Sequence, residues 1–195
     1  MARNMRLILH LGAHKSGTSL IQQYMKANKE IMRQNRIGFV KRNLTTKYLA
    51  WTTSDILEQR AAPLLDAINK SMDKEAFVIS HENTLGRPFV PGVAGLYPNV
   101  MRSAELLRDY FGAYHPMVIY YIRSQEQFIE SYYLQTIHEG GHQTFTEWMA
   151  AIDPGRVSWA PAVTAMRRAF GAENVIIRDF AHEMSDGQAG YLHSF

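Results

Sequence analysis

The sequence contains no cysteine. That excludes a disulfide framework, a thiolate zinc site and a cysteine nucleophile, and it fits a reducing compartment. Long apolar runs are lacking as well. The longest uninterrupted one is Met117–Ile122, far short of the roughly 18 residues that span a bilayer. No secretory apolar region precedes the first apolar run at residues 7–11, so the expectation is a cytoplasmic protein with no membrane partner. A dominant charge is also missing. Lys and Arg total 21 against 18 Asp and Glu, a net +3. So mild an excess argues for no nucleic-acid partner but is compatible with a local pocket for a small anion. What is present is a globular composition, 46% apolar and 20% charged over 195 residues. That length suits a single domain, 1–195, able to bury roughly 70% of its unfolded surface.

Periodicity supplies the elements. Residues 6–11, Ala76–Ser80 and Met117–Ile122 have the apolar density of buried strands, and the last, the most apolar, suits a central parallel strand. Shorter strands are expected at 37–40 and 175–177. Leu20, Ile21, Tyr24, Met25 and Met32 predict one helix from about Thr18 into the low thirties. Ser54 reads as an N-cap for a stripe of Ile56, Leu57, Ala61, Leu64, Leu65 and Ile68, kinked at Pro63. Further helices are expected at 102–111, around 128–137, at 145–152 and at 158–170, the last closed by Gly171. Strands alternating with helices predict an α/β fold: a mainly parallel sheet with helices on both faces. Residues 86–100 hold three prolines and three glycines, a long loop that is either functional or a variable surface excursion. Residues 185–195 fit no closed element, as in a domain truncated at its C-terminus.

The strongest chemical signal is the run from His10 to Ser19, HLGAHKSGTS, between a buried strand and an amphipathic helix, where a phosphate-binding loop belongs. Gly12 and Gly17 let the backbone wrap an anion, and the helix N-terminus adds roughly half a positive charge. Thr18 and Ser19 add hydroxyl donors. The run departs from the nucleotide-triphosphatase pattern G-x-x-x-x-G-K-[ST]: Thr18 stands where the lysine would be, and Lys15 lies inside the loop.

Lys15-Ser16-Gly17-Thr18-Ser19 resembles the loop of the P-loop sulfotransferases that binds the 5′ end of 3′-phosphoadenosine 5′-phosphosulfate (PAPS). A second match is Arg123, at the end of the strand Met117–Ile122, with Ser131 eight residues on. It is similar to the family's 3′-phosphate site. An Arg at the carboxyl edge of a parallel sheet is also where open α/β folds bind ligands, and its fork suits a phosphate. The resemblance implies a P-loop nucleotide-binding fold and transfer of a sulfuryl group to a hydroxyl or amine acceptor, a small molecule or a carbohydrate, leaving adenosine 3′,5′-bisphosphate. It implies nucleotide contacts from His14, Lys15, Ser16, Gly17, Thr18, Ser19, Arg123 and Ser131, with Lys15 stabilising charge at the breaking bond and no metal. The basic, glycine-containing loop that the family carries near its C-terminus is not found before Phe195.

The acceptor hydroxyl needs a base. Glu82, two residues past the strand Ala76–Ser80, is the first candidate and His81 the second. A carboxylate there could instead cap the following turn. His14 either touches the ligand or shapes the loop, and His10 reads as a hydrogen-bonded core residue. His138-Glu139-Gly140-Gly141-His142 spells the zinc-protease string H-E-x-x-H, but adjacent glycines oppose the helix that motif needs. Two rival readings stay open: a degenerate nucleotide-binding module without turnover, and a P-loop kinase or nucleotide hydrolase, which would want a lysine after Gly17.

Overall fold

The computed structural model describes residues 5–49 and 61–195. Five strands, β1 (Arg6–His10), β2 (Ile37–Phe39), β3 (Ala76–Ser80), β4 (Met117–Ile122) and β5 (Val175–Asp179), form one sheet in the order β2-β3-β1-β4-β5. Every pairing is parallel. This is the α/β architecture expected from the alternation of strands and helices. The middle position is taken by β1, and β4, paired on both sides with β1 and β5, is an interior parallel strand as its apolar run predicts.

The strands are apolar on both faces, and their period of two divides the core. Leu7, Leu9, Phe77, Ile79, Val118 and Tyr120 face one cluster, whereas Val78, Ile119 and Tyr121 face the other. The first face is covered by α4 (Ala62–Asn69), α5 (Val100–Phe111), α8 (Ala160–Phe170) and the start of α6 (Gln125–His138), through Leu64, Leu107, Met166 and Phe128. The second is covered by α1 (Thr18–Ala27) and α10 (Gly187–Ser194), through Ile21, Met25 and Tyr191. The remaining α-helices among the described residues are α2 (Lys29–Gln34), α3 (Arg42–Leu49), α7 (Phe145–Met149) and α9 (Phe180–Glu183). Among the described residues no helix is long and apolar enough to cross a membrane.

Four local expectations are corrected. The helix expected from Thr18 into the thirties is two helices. They are separated by Asn28, whose backbone N–H and side-chain amide both donate to the Tyr24 carbonyl. An Asn side chain competes with the helix ladder in this way. Pro63 does not kink a helix but lies in the first turn of α4, where its missing N–H is no loss. Ser54, Ile56 and Leu57 lie outside the described residues. Residues 86–99 are no loose excursion: Leu96 and Tyr97 are buried, and the Tyr97 N–H donates to the Pro88 carbonyl at 2.8 Å. Finally, the tail expected to be formless contains α10. Its weak amphipathicity hid it; Tyr191, 0% exposed, anchors it, with Leu192 and Phe195 packed against the same cluster.

Tyr191 therefore tests the docking of α10. Tyr191→Ala is expected to lower unfolding free energy by about 3–5 kcal/mol, as for other buried aromatic truncations. Tyr191→Phe keeps the ring and removes one hydrogen bond, and is expected to lose about 1 kcal/mol. Urea denaturation measures both; unchanged midpoints would mean that α10 is not docked.

Candidate functional site

The parallel sheet sends the ends of β1, β3 and β4 to one edge. His10 pairs with Ser80 and Ile119, and the chain after β1 stays on β4: the Leu11 and Ala13 N–H groups donate to the Ile119 and Tyr121 carbonyls. The loop then turns through two left-handed residues, Lys15 (φ 63°) and Gly17 (φ 78°). Arg123 Nη1 donates to the Lys15 carbonyl at 2.9 Å, and the Tyr191 hydroxyl donates to the Ser16 carbonyl at 2.8 Å. In a trans peptide the C=O and N–H point opposite ways. Pinning these two carbonyls outward therefore turns the Ser16 and Gly17 N–H groups inward. Among the described residues the N–H groups of residues 15–19 find no acceptor, which leaves an anion-binding nest at the start of α1.

Glycine is required at two points of this loop. A Cβ on Gly17 would stand 2.8 Å from Phe180 Cε2 and 2.9 Å from the Tyr191 hydroxyl, besides the strain of its positive φ. A Cβ on Gly12 would stand 2.9 Å from Thr18 Oγ1 and 3.0 Å from His10 Nε2. Both of those polar atoms are buried with no partner. The Ser16 hydroxyl is turned back onto the Ala13 carbonyl at 2.5 Å, so Ser16 presents its N–H to the nest and not its hydroxyl.

Arg123 reaches the loop, and Ser131 lies on the helix face beside it. The Arg123 backbone is held by Trp159, whose Nε1 donates to its carbonyl at 2.7 Å. Its guanidinium packs over the Phe180 ring at 5.6 Å, a cation–π contact. Burial pulls the guanidinium below its ordinary pKa, and its Nε has no partner. Gln127, Ser131 and Gln135 share one face of α6 at four-residue spacing. Gln127 Oε1 accepts from Arg123 at 3.5 Å and Gln135 Oε1 from Lys15 Nζ at 3.3 Å. Ser131 thus stands between the residues that hold Arg123 and Lys15.

At the end of β3, Glu82 and His81 behave differently. His81, not Glu82, caps the following turn: its Nδ1 accepts from the Asn83 N–H at 3.0 Å. Its Nε2 faces Thr46 Oγ1 at 3.2 Å, so both ring nitrogens are engaged. One Glu82 oxygen accepts from Arg42 Nη2 at 3.2 Å, and the other is buried without a partner. Arg42 also donates to Ser19 Oγ at 3.2 Å and so joins the loop to Glu82. His14 is held by Tyr97, whose hydroxyl lies 2.8 Å from Nδ1 and accepts from the His14 N–H. Its ring meets the Tyr132 ring edge-on at 5.8 Å.

Sequence reasoning missed Arg42, Tyr97, Gln135, Phe180 and Tyr191. Arg42 had a signal, since Lys41-Arg42 follows a strand on the carboxyl edge. The others reach the site only through long-range packing. The H-E-x-x-H string straddles the end of α6: His138 is its last residue and Gly140 has φ 95°. Among the described residues no group of three or more His, Asp or Glu could hold a metal.

No protein-family model matches the chain, and no curated protein is recognisably similar in sequence. Solved structures do match. A sulfotransferase from Alicyclobacillus acidocaldarius superposes with a TM-score of 0.57 at 16% identity, over 96% of this chain and 77% of that one. A gluconokinase from Sinorhizobium meliloti 1021 gives a TM-score of 0.37 at 15% identity, over 98% and 91%. The first likeness shows a shared P-loop α/β fold.

Two buried imidazoles, His10 and His81, and the half-buried His14 make the edge acid-sensitive. Burial lowers His10 to about 3, and His14 and His81 to about 4. For His14 the Glu82 charge opposes the shift; for His81 the Arg42 charge adds to it. Each ring takes up a proton on unfolding between its folded pKa and about 6.5. Stability is therefore complete above about pH 6.5 and is lost as pH falls toward 4. From pH 7 to pH 5 the loss is on the order of 1–2 kcal/mol per ring. Urea midpoints across that range check this; a flat profile would show solvated rings.

Proposed function

We propose that the protein is a PAPS-dependent sulfotransferase acting on a hydroxyl or amine acceptor. The observation that carries this reading is the bond from Arg123 to the Lys15 carbonyl, which sets a second anion-binding pair against the loop nest. Two anion sites at one edge suit a nucleotide phosphorylated at both ends better than a triphosphate chain. Thr18, in place of a lysine after Gly17, points the same way. The P-loop fold shared with a sulfotransferase supports it.

The residues fit such a donor. Thr18 Oγ1 and Arg123 Nε are buried donors without partners, beside the N–H groups of residues 15–19. The loop with Lys15 and Ser19 would hold the 5′-phosphosulfate, and Arg123 with Ser131 the 3′-phosphate. When bound, PAPS supplies the sulfuryl group: a bond from the acceptor to sulfur forms, the sulfur–oxygen bond to the 5′-phosphate breaks, and adenosine 3′,5′-bisphosphate leaves with the electron pair. Glu82 takes the acceptor proton on its unpartnered oxygen, while Arg42 holds the other. His81 steadies the turn, because neither of its nitrogens is open. His14, tied to Tyr97, shapes the loop. Lys15 neutralises charge that grows at the leaving oxygen, so preorganised charge and positioning supply the rate.

Calorimetry tests the nucleotide site first. Adenosine 3′,5′-bisphosphate is expected to bind about 10- to 100-fold more tightly than adenosine 5′-monophosphate, the worth of one charge-assisted contact. Arg123→Ala is expected to erase most of that difference. Equal affinities in the parent protein would sink the assignment, and tighter binding of ATP with Mg²⁺ would favour a kinase. Release of the bisphosphate from PAPS across an acceptor panel tests turnover. Lys15→Ala is expected to slow it about 100-fold or more, and Glu82→Gln about 10²–10⁴-fold with nucleotide affinity retained. A parent protein that binds the bisphosphate but never turns over is a binding module.

A further inference from the structure

Beyond Arg42, on the side away from Arg123, lies a cleft of about 410 Å³ between α1 and the connection from β2 to α3. Its volume falls within the range of ligand pockets, about 300–1,000 Å³. Lys26, Lys29, Lys41 and Arg42 line it, and no carboxylate does. These four cations come from α1, the start of α2 and the entry to α3, while the whole chain has a net charge of only +3. Among the described residues Lys26, Lys29 and Lys41 have no carboxylate partner; Arg42 alone is paired, to Glu82. Like charges that converge on a concavity repel one another unless an anion sits between them.

The inner end of the cleft has the opposite need. Gln22 lines it, and its Oε1 is buried without a partner. Its orientation is fixed, because its Nε2 donates to the Ser80 carbonyl at 2.9 Å. Glu82 Oε2, across Arg42, is likewise a buried acceptor with no partner. Two buried acceptors call for hydroxyl donors. Between the two ends, Phe39 and Val40 offer an apolar wall, of the kind against which a sugar ring packs.

We infer that this cleft is the acceptor subsite and that the acceptor is an acidic carbohydrate. Its hydroxyl groups face Gln22 and Glu82, and its carboxylate or sulfate groups face Lys26, Lys29 and Lys41. The inference rests on the sulfotransferase reading. Arg42 is the wall shared by the two halves of the site: it bonds Ser19 on the donor side and Glu82 at the point of transfer. A hydroxyl bound at Glu82 is thereby placed beside the loop nest.

The test is calorimetry on the full chain, with a sulfated uronic acid–glucosamine hexasaccharide and its desulfated, carboxyl-reduced counterpart as probes. The parent protein is expected to bind the charged sugar at least about 10-fold more tightly than the neutral one, as charge-assisted contacts imply. The combined variant Lys26→Ala, Lys29→Ala, Lys41→Ala is expected to lose that preference. It should keep its affinity for adenosine 3′,5′-bisphosphate, which also shows that it folds. Equal binding of the two sugars by the parent protein overturns the charge requirement. Unchanged binding of the charged sugar by the variant overturns the location. Equally tight binding of an oligonucleotide of matching charge overturns the carbohydrate assignment. If the parent protein does not bind adenosine 3′,5′-bisphosphate, the sulfotransferase reading fails, and the acceptor role fails with it, whatever the sugars do.

Discussion

Two carbonyl oxygens, those of Lys15 and Ser16, are pulled away from the interior of the loop by one donor each. The rest of the site follows from that constraint. The peptide plane turns the next N–H groups inward, and two left-handed residues keep the turn tight enough for those groups to converge. One of the two is Lys15, not glycine, and its positive φ costs roughly 1–2 kcal/mol. The Arg123 bond holds it there. Arg123 thus fixes the loop backbone while its own Nε stays without a partner.

The donors arrive from different parts of the fold. Tyr97, from the first sheet face, holds His14; Tyr191, from the second, holds Ser16. Phe180 packs beneath Arg123 and against Tyr191. The loop is clamped from both sides of the sheet, and its geometry depends on both cores being packed. The backbone N–H groups are thereby held in place, so an anion could be bound there without rearranging the loop.

Charge is sorted along the carboxyl edge. Burial keeps His10, His14 and His81 neutral near pH 7. The positive charge comes instead from Lys15, Arg42 and Arg123. Glu82 is the carboxylate set among them, bound by Arg42 on one oxygen only. A mild net charge conceals this unevenness, because composition averages over the surface whereas a substrate meets only one edge of it.

The chain's own order of residues was enough for the sheet, the loop and the place of Arg123 at a strand end. Short continuous apolar runs mark the buried strands, the loop lies between a strand and a helix, and Arg123 follows the most apolar strand. These are local facts, carried by neighbours in sequence. The break at Asn28, the helix α10 and the roles of Tyr97 and Tyr191 were not legible. The α10 pattern is weak, and the bond from Tyr191 to Ser16 spans 175 residues. Local pattern also could not separate His81 from Glu82, two adjacent residues after one strand. Only the folded chain gives them different surroundings, taking both nitrogens of the imidazole and leaving one oxygen of the carboxylate without a partner. A side chain's freedom to react depends on what surrounds it, and here the surroundings come from Thr46, Arg42 and Asn83. Residues far apart in sequence meet only once the core is packed.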